Sequence, residues 1–222
     1  FAALCYFFAK EMQAEKEVAI GIINSSWGGT KIASWSTRQS LEKYENFKEK
    51  FRSSQYSNPD YPDSIKNAQQ TQVSQWHQRQ AADDLGNKEK WIHESFDASD
   101  WEEIDVFNSN WGGSRNSPLN GVHYFRQRIN IPESLAGQKA TLRVGTLKDS
   151  DATYINGVCV GRTSYQYPPR IYQVPAGTLR AGENEIVIRL VSSAGCPEFV
   201  KGKPYQLEIA GRTLPLAVIW KH

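Results

Sequence analysis

Residues 153–160 read Thr-Tyr-Ile-Asn-Gly-Val-Cys-Val. The Asn-Gly pair separates two short apolar runs that are rich in β-branched and aromatic residues, which favour strands. Asn and Gly tolerate the positive φ angles that both central residues of a type I′ turn require. The stretch therefore predicts a β-hairpin with Asn156 and Gly157 at its turn.

The same alternation of apolar and polar residues continues on both sides of this hairpin. Residues 122–131 place Phe125 and Ile131 on one face and Arg126 and Arg128 on the other. Further strands are predicted at 141–145, 185–191, 205–210 and 213–220. At least six strands joined by short turns predict a β-sandwich.

The first third of the chain has a different pattern, typical of α/β structure. Residues 1–15 predict an amphipathic helix, and the continuous apolar run at 18–24 predicts a strand buried on both faces, as in a parallel sheet. Two more helices are predicted. They span 37–52, opened by a capping box at Ser36 and Gln39, and 65–85, capped by Ser64.

Residues 24–30, Asn-Ser-Ser-Trp-Gly-Gly-Thr, follow the apolar run directly. Ligands of parallel sheets bind just beyond the carboxyl ends of the strands. Gly28 and Gly29 would let backbone N–H groups approach a substrate oxygen there. The same two glycines also fit a tight strand-to-helix turn without any chemical role.

Residues 24–30 with Ile32 and Trp35, preceded by the helix that contains 6–12, resemble the sialate O-acetylesterase family. These are carbohydrate acetylesterases of the SGNH-hydrolase type. Residues 124–126 and 151–157 resemble the galactose-binding-like jelly roll that is inserted in such enzymes. The resemblance implies an α/β plus all-β chain. A partial SGNH-type hydrolase domain would occupy 1–89, and a jelly-roll β-sandwich insert would occupy 90–222.

The resemblance also implies site residues. Gly29 would donate a backbone N–H to the oxyanion hole, with Gly28 as the close-packing glycine, and Trp27 and Trp35 would bind the substrate or pack in the hydrolase core. The family deacetylates sialic acid or related sugars through a Ser-His(-Asp) acyl-enzyme. The chain has no Gly-x-Ser-Asn, Gly-Asp-Ser or Asp-x-x-His sequence, and its only Gly-x-Ser, at 112–114, lies in a predicted loop of the β-rich half.

We therefore expect an internal fragment that is inactive alone, with the remainder of the hydrolase domain and an O-acetylated sugar or glycan as partners. Ser25 and Ser26 are not expected to be nucleophiles, because neither has the Gly-x-Ser setting. The resemblance implies a secreted, periplasmic or lysosomal location.

A second hypothesis from a different class is a noncatalytic carbohydrate-binding or structural β-sandwich module. The absent nucleophile supports it, and so do the seven Trp and ten Tyr residues, since flat rings bind sugar faces. Aromatic side chains also fill sandwich cores, so these rings have a structural interpretation as well.

Composition argues against several other classes. A net charge of +2 without a Lys/Arg-rich run gives no footprint for nucleic acid. No apolar run reaches the roughly 18 residues of a membrane span. No cofactor or metal is expected, because the spacing of Asp149, Asp151 and Asn156 fits no EF-hand loop.

Two features stay open at this stage. A disulfide between Cys159 and Cys196 is compatible with the sequence but does not follow from it. Tyr165, Tyr167 and Arg170 form an aromatic and basic loop that could meet a glycan or a hydrolase active site. Packing between domains is the favoured interpretation of that loop.

Overall fold

A computed structural model describes residues 3–23, 27–52, 58, 60–193 and 195–222. The chain divides into two compact units, Phe1–Gln69 and Gln70–His222. Helices dominate the described part of the first unit, and the second unit is mostly β-sheet. The prediction that 1–89 and 90–222 are a hydrolase domain and its insert stays a prediction.

The helices are short except for the first and the fourth. They are α1 (Ala3–Lys16), α2 (Arg38–Leu41), α3 (Glu45–Arg52), α4 (Tyr61–Asp83) and α5 (Leu85–Lys88), with 3-10 turns at Ile32–Trp35 and Glu133–Leu135. None of the helices within the described ranges is long and apolar enough to cross a membrane.

The helix predicted over 37–52 is two helices, and its predicted cap is wrong. The side chain of Thr37, rather than that of Ser36, accepts a hydrogen bond from the Ser40 backbone N–H and caps α2. The hydroxyl of Ser36 instead donates a hydrogen bond to the carbonyl of Ile32, at the end of the preceding 3-10 turn. Ser64 lies inside α4 and caps nothing, since that helix begins at Tyr61.

The parallel strand predicted at 18–24 is not formed in the part of it that the structure describes, 18–23. Val18 and Ile23 are 54% and 91% exposed. A strand with two apolar faces needs neighbouring strands and covering helices, and the described residues supply no such neighbours to this segment. The α/β part of the predicted fold is therefore not seen here.

The second unit contains two large antiparallel sheets. Their strands and those of two small ribbons are β1 (Glu103–Asp105), β2 (Gly113–Ser114), β3 (Ser117–Pro118), β4 (Gly121–Ile131), β5 (Ala140–Val144), β6 (Leu147–Lys148), β7 (Ser150–Ile155), β8 (Val158–Thr163), β9 (Ile171–Val174), β10 (Gly182–Ser192), β11 (Glu198–Phe199), β12 (Tyr205–Ile209), β13 (Arg212–Pro215) and β14 (Ile219–Lys221).

The six-stranded sheet has the order β1-β14-β4-β10-β7-β8, and the four-stranded sheet has the order β13-β12-β5-β9. Their apolar faces supply one buried cluster that includes Phe125, Ile188, Leu142 and Leu207. Burial of this kind is the main stabilising contribution in such folds. The arrangement is consistent with the predicted β-sandwich.

The hairpin prediction is confirmed. β7 and β8 are antiparallel neighbours, and Asn156 and Gly157 between them have φ angles of 50° and 78°. The side chain of Asn156 also anchors the turn, because its amide N–H donates a hydrogen bond to the carbonyl of Thr178 at 2.9 Å. The alternation predicted for 122–131 is confirmed as well, since Phe125 and Ile131 are buried in the core cluster. The strand predicted at 213–220 is divided between β13 and β14.

A pair of histidines lies among aromatic rings in this unit. The rings of His123 and His222 stack at 5.3 Å, and their Nδ1 and Nε2 atoms are 3.0 Å apart. Burial is the main reason that the pKa values of both rings lie below the usual 6.5, that of His222 at about 4. The nearby charge of His123 lowers the pKa of His222 further.

We expect this pair to weaken the fold in acid. The unfolded chain takes up protons near pH 6.5 and the folded chain only near pH 4, so stability is fully present above about pH 6.5 and falls between these values. The expected loss at pH 4.5 is about 2 kcal/mol, discounted because the rings are only partly buried. Urea unfolding of the wild type and H222F across this range measures it. Equal declines in both proteins would contradict the expectation.

Candidate functional site

The outward face of the six-stranded sheet presents a row of charged residues. Arg126 and Arg128 alternate with core residues along β4, so both lie on the face opposite the core. Register places Arg128 beside Glu185 of β10 and Arg126 beside Lys221 of β14. The sheet thus brings charged groups from three strands onto one surface.

Part of this face is covered by the segment that precedes β1. Trp91, Ile92 and Trp101 pack on a small buried cluster that contains Tyr124 and Val187. Trp91 meets Trp101 edge-to-face at 5.0 Å and Tyr124 at 5.2 Å. Such ring pairs stabilise beyond the area that they bury.

Arg126 fastens this segment to the sheet. Its guanidinium donates to both carboxylate oxygens of Glu185, to the carbonyl of Trp91 and, at 3.2 Å, to the carbonyl of His93. The ring of Phe96 lies 5.3 Å from the guanidinium carbon. Arg126 is almost completely buried and each of its three guanidinium nitrogens donates a hydrogen bond, so it acts as a structural clip.

Beside the clip the same face opens into a cleft of about 510 Å³. Its lining is Phe96, Asp97, Ala98, Ser99, Glu103, Arg126, Gln127, Arg128, Glu185, Ala217, Ile219, Trp220 and Lys221. The volume lies within the usual range for small-molecule pockets. We name this feature the outer-face cleft.

The outer-face cleft is balanced in charge. Three cationic side chains face three carboxylates, since Arg126, Arg128 and Lys221 are matched by Asp97, Glu103 and Glu185 in the lining. Cationic donors and carboxylate acceptors are therefore equal in number in the lining, without a net field that would favour an ion of either sign.

Lys221 and Arg128 differ in how strongly their present partners hold them. Lys221 donates its ammonium to the carbonyls of Ser99 and Trp101, at 3.0 and 3.2 Å, and is 3.8 Å from Glu103. The side chain of Arg128 is 69% exposed, and its contact with Glu183 is a long one of 3.4 Å. Arg128 is therefore the charged donor best placed to exchange its present contact for a ligand.

Nucleophilic catalysis has one local candidate, the pair His93 and Ser95, with Nδ1 and Oγ 2.8 Å apart. That same Nδ1 also accepts the backbone N–H of Ser95 at 3.4 Å, so the contact closes a local turn. A Ser-His nucleophile needs a third group that orients the base. Within the described ranges no carboxylate is hydrogen-bonded to His93, and the pair does not form a triad.

The residues predicted as a site lie in the first unit. Trp27, Gly28 and Gly29 occupy an exposed turn, Gly29 with φ of 80°, and the carbonyl of Trp27 accepts the hydroxyl of Thr30 at 2.7 Å. Trp35 donates its indole N–H to that hydroxyl at 2.7 Å. The substrate role of the two tryptophans and the oxyanion role of the glycines stay predictions. Asn24, Ser25 and Ser26 lie outside the described residues.

The acidic residues weighed as calcium ligands have other partners. Asp151 is buried and forms an ion pair with Arg170, and Asp149 accepts from the backbone and hydroxyl of Ser193. Across the described ranges no group of three or more His, Cys, Asp or Glu residues could hold a metal ion. The cysteines Cys5, Cys159 and Cys196 are free thiols, so the disulfide that the sequence left open is not formed.

Sequence reasoning missed the outer-face cleft. The alternation along 122–131 already placed Arg126 and Arg128 on the outward face, next to the core residues of a long strand. Two arginines on that face of a long strand were a usable signal. Glu185 and Lys221 could not be added, because the register between distant strands joins them to β4.

Comparison with solved structures gives several matches, all at low identity. A β-glucuronidase 2 from Bacteroides uniformis matches 58% of this chain and 15% of its own, with 16% identity and a TM-score of 0.41. A glycosyl hydrolase family 2 member from Bacteroides cellulosilyticus matches 53% and 18%, with 16% identity and a TM-score of 0.41. A β-glucuronidase from an uncultured Clostridium species matches 48% and 19%, with 18% identity and a TM-score of 0.35.

The chain thus spans less than a fifth of the length of each of these proteins. No protein-family model matches the sequence. No curated protein matches it either.

These matches overturn the expected identity. The structural neighbours named here are β-glucuronidases and a glycosyl hydrolase family 2 member, and not sialate O-acetylesterases or other carboxylic ester hydrolases. The predictions of an acetylesterase family, of ester hydrolysis through an acyl-enzyme and of an esterase fragment are therefore wrong. The sequence at 24–30 misled because a short segment with two glycines is compatible with many folds. What the structure supports is a chain that is mostly β-sheet, with a β-sandwich in its second unit.

Proposed function

We propose that the second unit is a noncatalytic carbohydrate-binding module of the jelly-roll type, and that the outer-face cleft is its binding site. The observation that supports this function best is the composition of the cleft. A half-buried ring, Phe96, lines the cleft together with cationic donors, carboxylate acceptors and the amide of Gln127. Sugars present apolar ring faces and hydroxyl groups that both donate and accept, so this lining is complementary to them.

The charge balance of the lining points to a neutral sugar. A carboxylated or sulfated glycan would meet as many carboxylates as cations, which gives no electrostatic preference. A neutral polyol can bond to both kinds of group at once. The partner that we propose is therefore a neutral glycan segment, and binding should depend only weakly on salt concentration.

Arg128 provides the sharpest test of the site. The change R128A should weaken the binding of a neutral glycan about tenfold, because a charge-assisted hydrogen bond contributes about 1.5 kcal/mol or more. The fold should be unaffected, since this side chain is exposed and its ion pair is long. Isothermal titration of the full chain with soluble neutral hexasaccharides (cello-, xylo-, manno- and chito-oligomers) measures the effect.

Arg212 offers a matched control for this variant. It is an exposed arginine on β13, at the edge of the four-stranded sheet, and it does not line the cleft. R212A should bind as the wild type does. Equal affinity of R128A and wild type for every glycan that binds would contradict the assignment of the cleft. A wild-type chain that binds none of them would favour a purely structural module.

A further inference from the structure

The loop between β8 and β9 presents two exposed aromatic rings. Tyr165 and Tyr167 are 56% and 68% exposed, and their rings meet edge-to-face with centroids 5.1 Å apart. The ring planes are at 83° to each other, so the pair offers two differently oriented faces to a ligand. Neither ring is needed by the outer-face cleft, whose lining does not include them.

The backbone of this loop is hydrogen-bonded to a buried cation, Arg170. The guanidinium of Arg170 donates to the carbonyl of Pro168 at 2.7 Å and to the carbonyl of Gln166 at 3.4 Å. It also forms an ion pair with Asp151, at 2.8 Å, and both side chains are fully buried. The sequence left open whether this loop, with Arg170 in it, meets a glycan, and the burial of Arg170 leaves the two tyrosines as its exposed part.

Fixing the loop matters for binding. Two consecutive prolines, Pro168 and Pro169, restrict the backbone next to Tyr167. Rigid aromatic groups that are already held in place lose little conformational entropy when a ligand binds. The backbone that carries the two exposed rings is therefore restrained before any ligand arrives.

The size and surroundings of the ring pair favour a sugar over a protein. Ser164 is exposed and polar, and Gln166 between the rings is half-buried and polar. A stable protein interface needs about 800 Å² from each partner around a more apolar centre. Two rings with polar neighbours fall well below that area, and they match the dimensions of one or two pyranose rings.

We propose that Tyr165 and Tyr167 form a second carbohydrate-binding platform, which stacks on the apolar faces of neutral pyranose rings. The platform deepens the proposed function and rests on it, since both sites would bind neutral glycan. It differs in chemistry, because the cleft binds through charged and amide groups and the platform through ring faces.

The test replaces the rings one at a time. Y165A and Y167A should each lower the affinity of the full chain for the hexasaccharide panel about five- to tenfold, as expected for loss of one ring contact. The matched controls Y165F and Y167F keep the ring and should stay within about twofold of the wild type. Unchanged affinity in both alanine variants would overturn the platform.

A second readout separates this proposal from that of the cleft. The ring protons of Tyr165 and Tyr167 should shift in NMR spectra of R128A when glycan is added, because the platform is intact in that variant. Shifts of cleft residues without tyrosine shifts would leave the cleft in place and reject the platform. Tyrosine shifts without cleft shifts would support the platform and reject the cleft.

Discussion

Replacing Asp151 by alanine is expected to lower the free energy of unfolding by about 3–5 kcal/mol. The carboxylate accepts hydrogen bonds from Arg170 at 2.8 Å, from the hydroxyl of Thr153 at 2.9 Å and from that of Tyr172 at 2.8 Å. Asp151 and Arg170 are fully buried. Removing one partner leaves a cation in the interior without its counter-charge, which costs far more than the loss of an exposed pair.

The measurement is urea unfolding of the full chain followed by tryptophan fluorescence. D151N is expected to recover only part of the loss, because it restores the shape and an acceptor but not the charge. E198A is the matched control, since it breaks the exposed pair of Lys148 and Glu198 and should cost less than about 1 kcal/mol. A loss below about 1 kcal/mol in D151A would show that the buried pair does not stabilise the sandwich.

The second large effect is expected at Asp84. Its side chain is 1% exposed and pairs with Arg189 at 2.7 Å. It also accepts the hydroxyl of Tyr124 at 3.0 Å and caps α5 by accepting the backbone N–H of Asn87 at 3.3 Å. One carboxylate thus satisfies a cation, a buried hydroxyl and a helix terminus. D84A should therefore lower the free energy of unfolding by about 2–4 kcal/mol.

A double-mutant cycle tests the physical reason for this effect. D84A and R189A should together cost less than the sum of the single changes, with a coupling of about 1–3 kcal/mol. Y124F removes only the hydroxyl and should cost about 1–2 kcal/mol. Additive single effects would contradict the claim that the ion pair of Asp84 and Arg189 contributes to stability.

The local features of the sandwich could be predicted from sequence because their causes are local. The turn at Asn156 and Gly157 follows from the positive φ angles that these residue types tolerate, and the alternation along 122–131 follows from strand geometry. Helix α1 was predicted for a similar reason. The N-cap of α2 was harder to predict, because Ser36 and Thr37 are adjacent and either hydroxyl can take that role.

Features that depend on distant residues could not be predicted. Arg126 and Glu185 are 59 positions apart, and β4 and β10 bring them together only through their register. At 18–23, in contrast, the sequence predicted a strand that the structure does not contain. The composition of this run favours a strand, but a strand exists only where another strand pairs with it, and the described residues provide none.

The family prediction failed for a related reason. It depended on short matches at 24–30 and 6–12, where few residues are constrained by a specific backbone geometry. In the second half the strand pattern is enforced by a common core, and there the structure is consistent with the predicted β-sandwich. Patterns that a buried core enforces are more reliable than isolated turns.

Titration of the isotope-labelled full chain with neutral hexasaccharides, followed by backbone amide NMR shifts, tests the proposed binding site. We predict shifts at 96–99, 126–128 and 217–221, which line the outer-face cleft, beside those expected at Tyr165 and Tyr167, and no larger shifts with a uronic acid oligomer than with the neutral sugar. No shifts with any neutral glycan, or shifts produced by the uronic acid oligomer alone, would contradict a neutral-glycan site on the outer face of the six-stranded sheet.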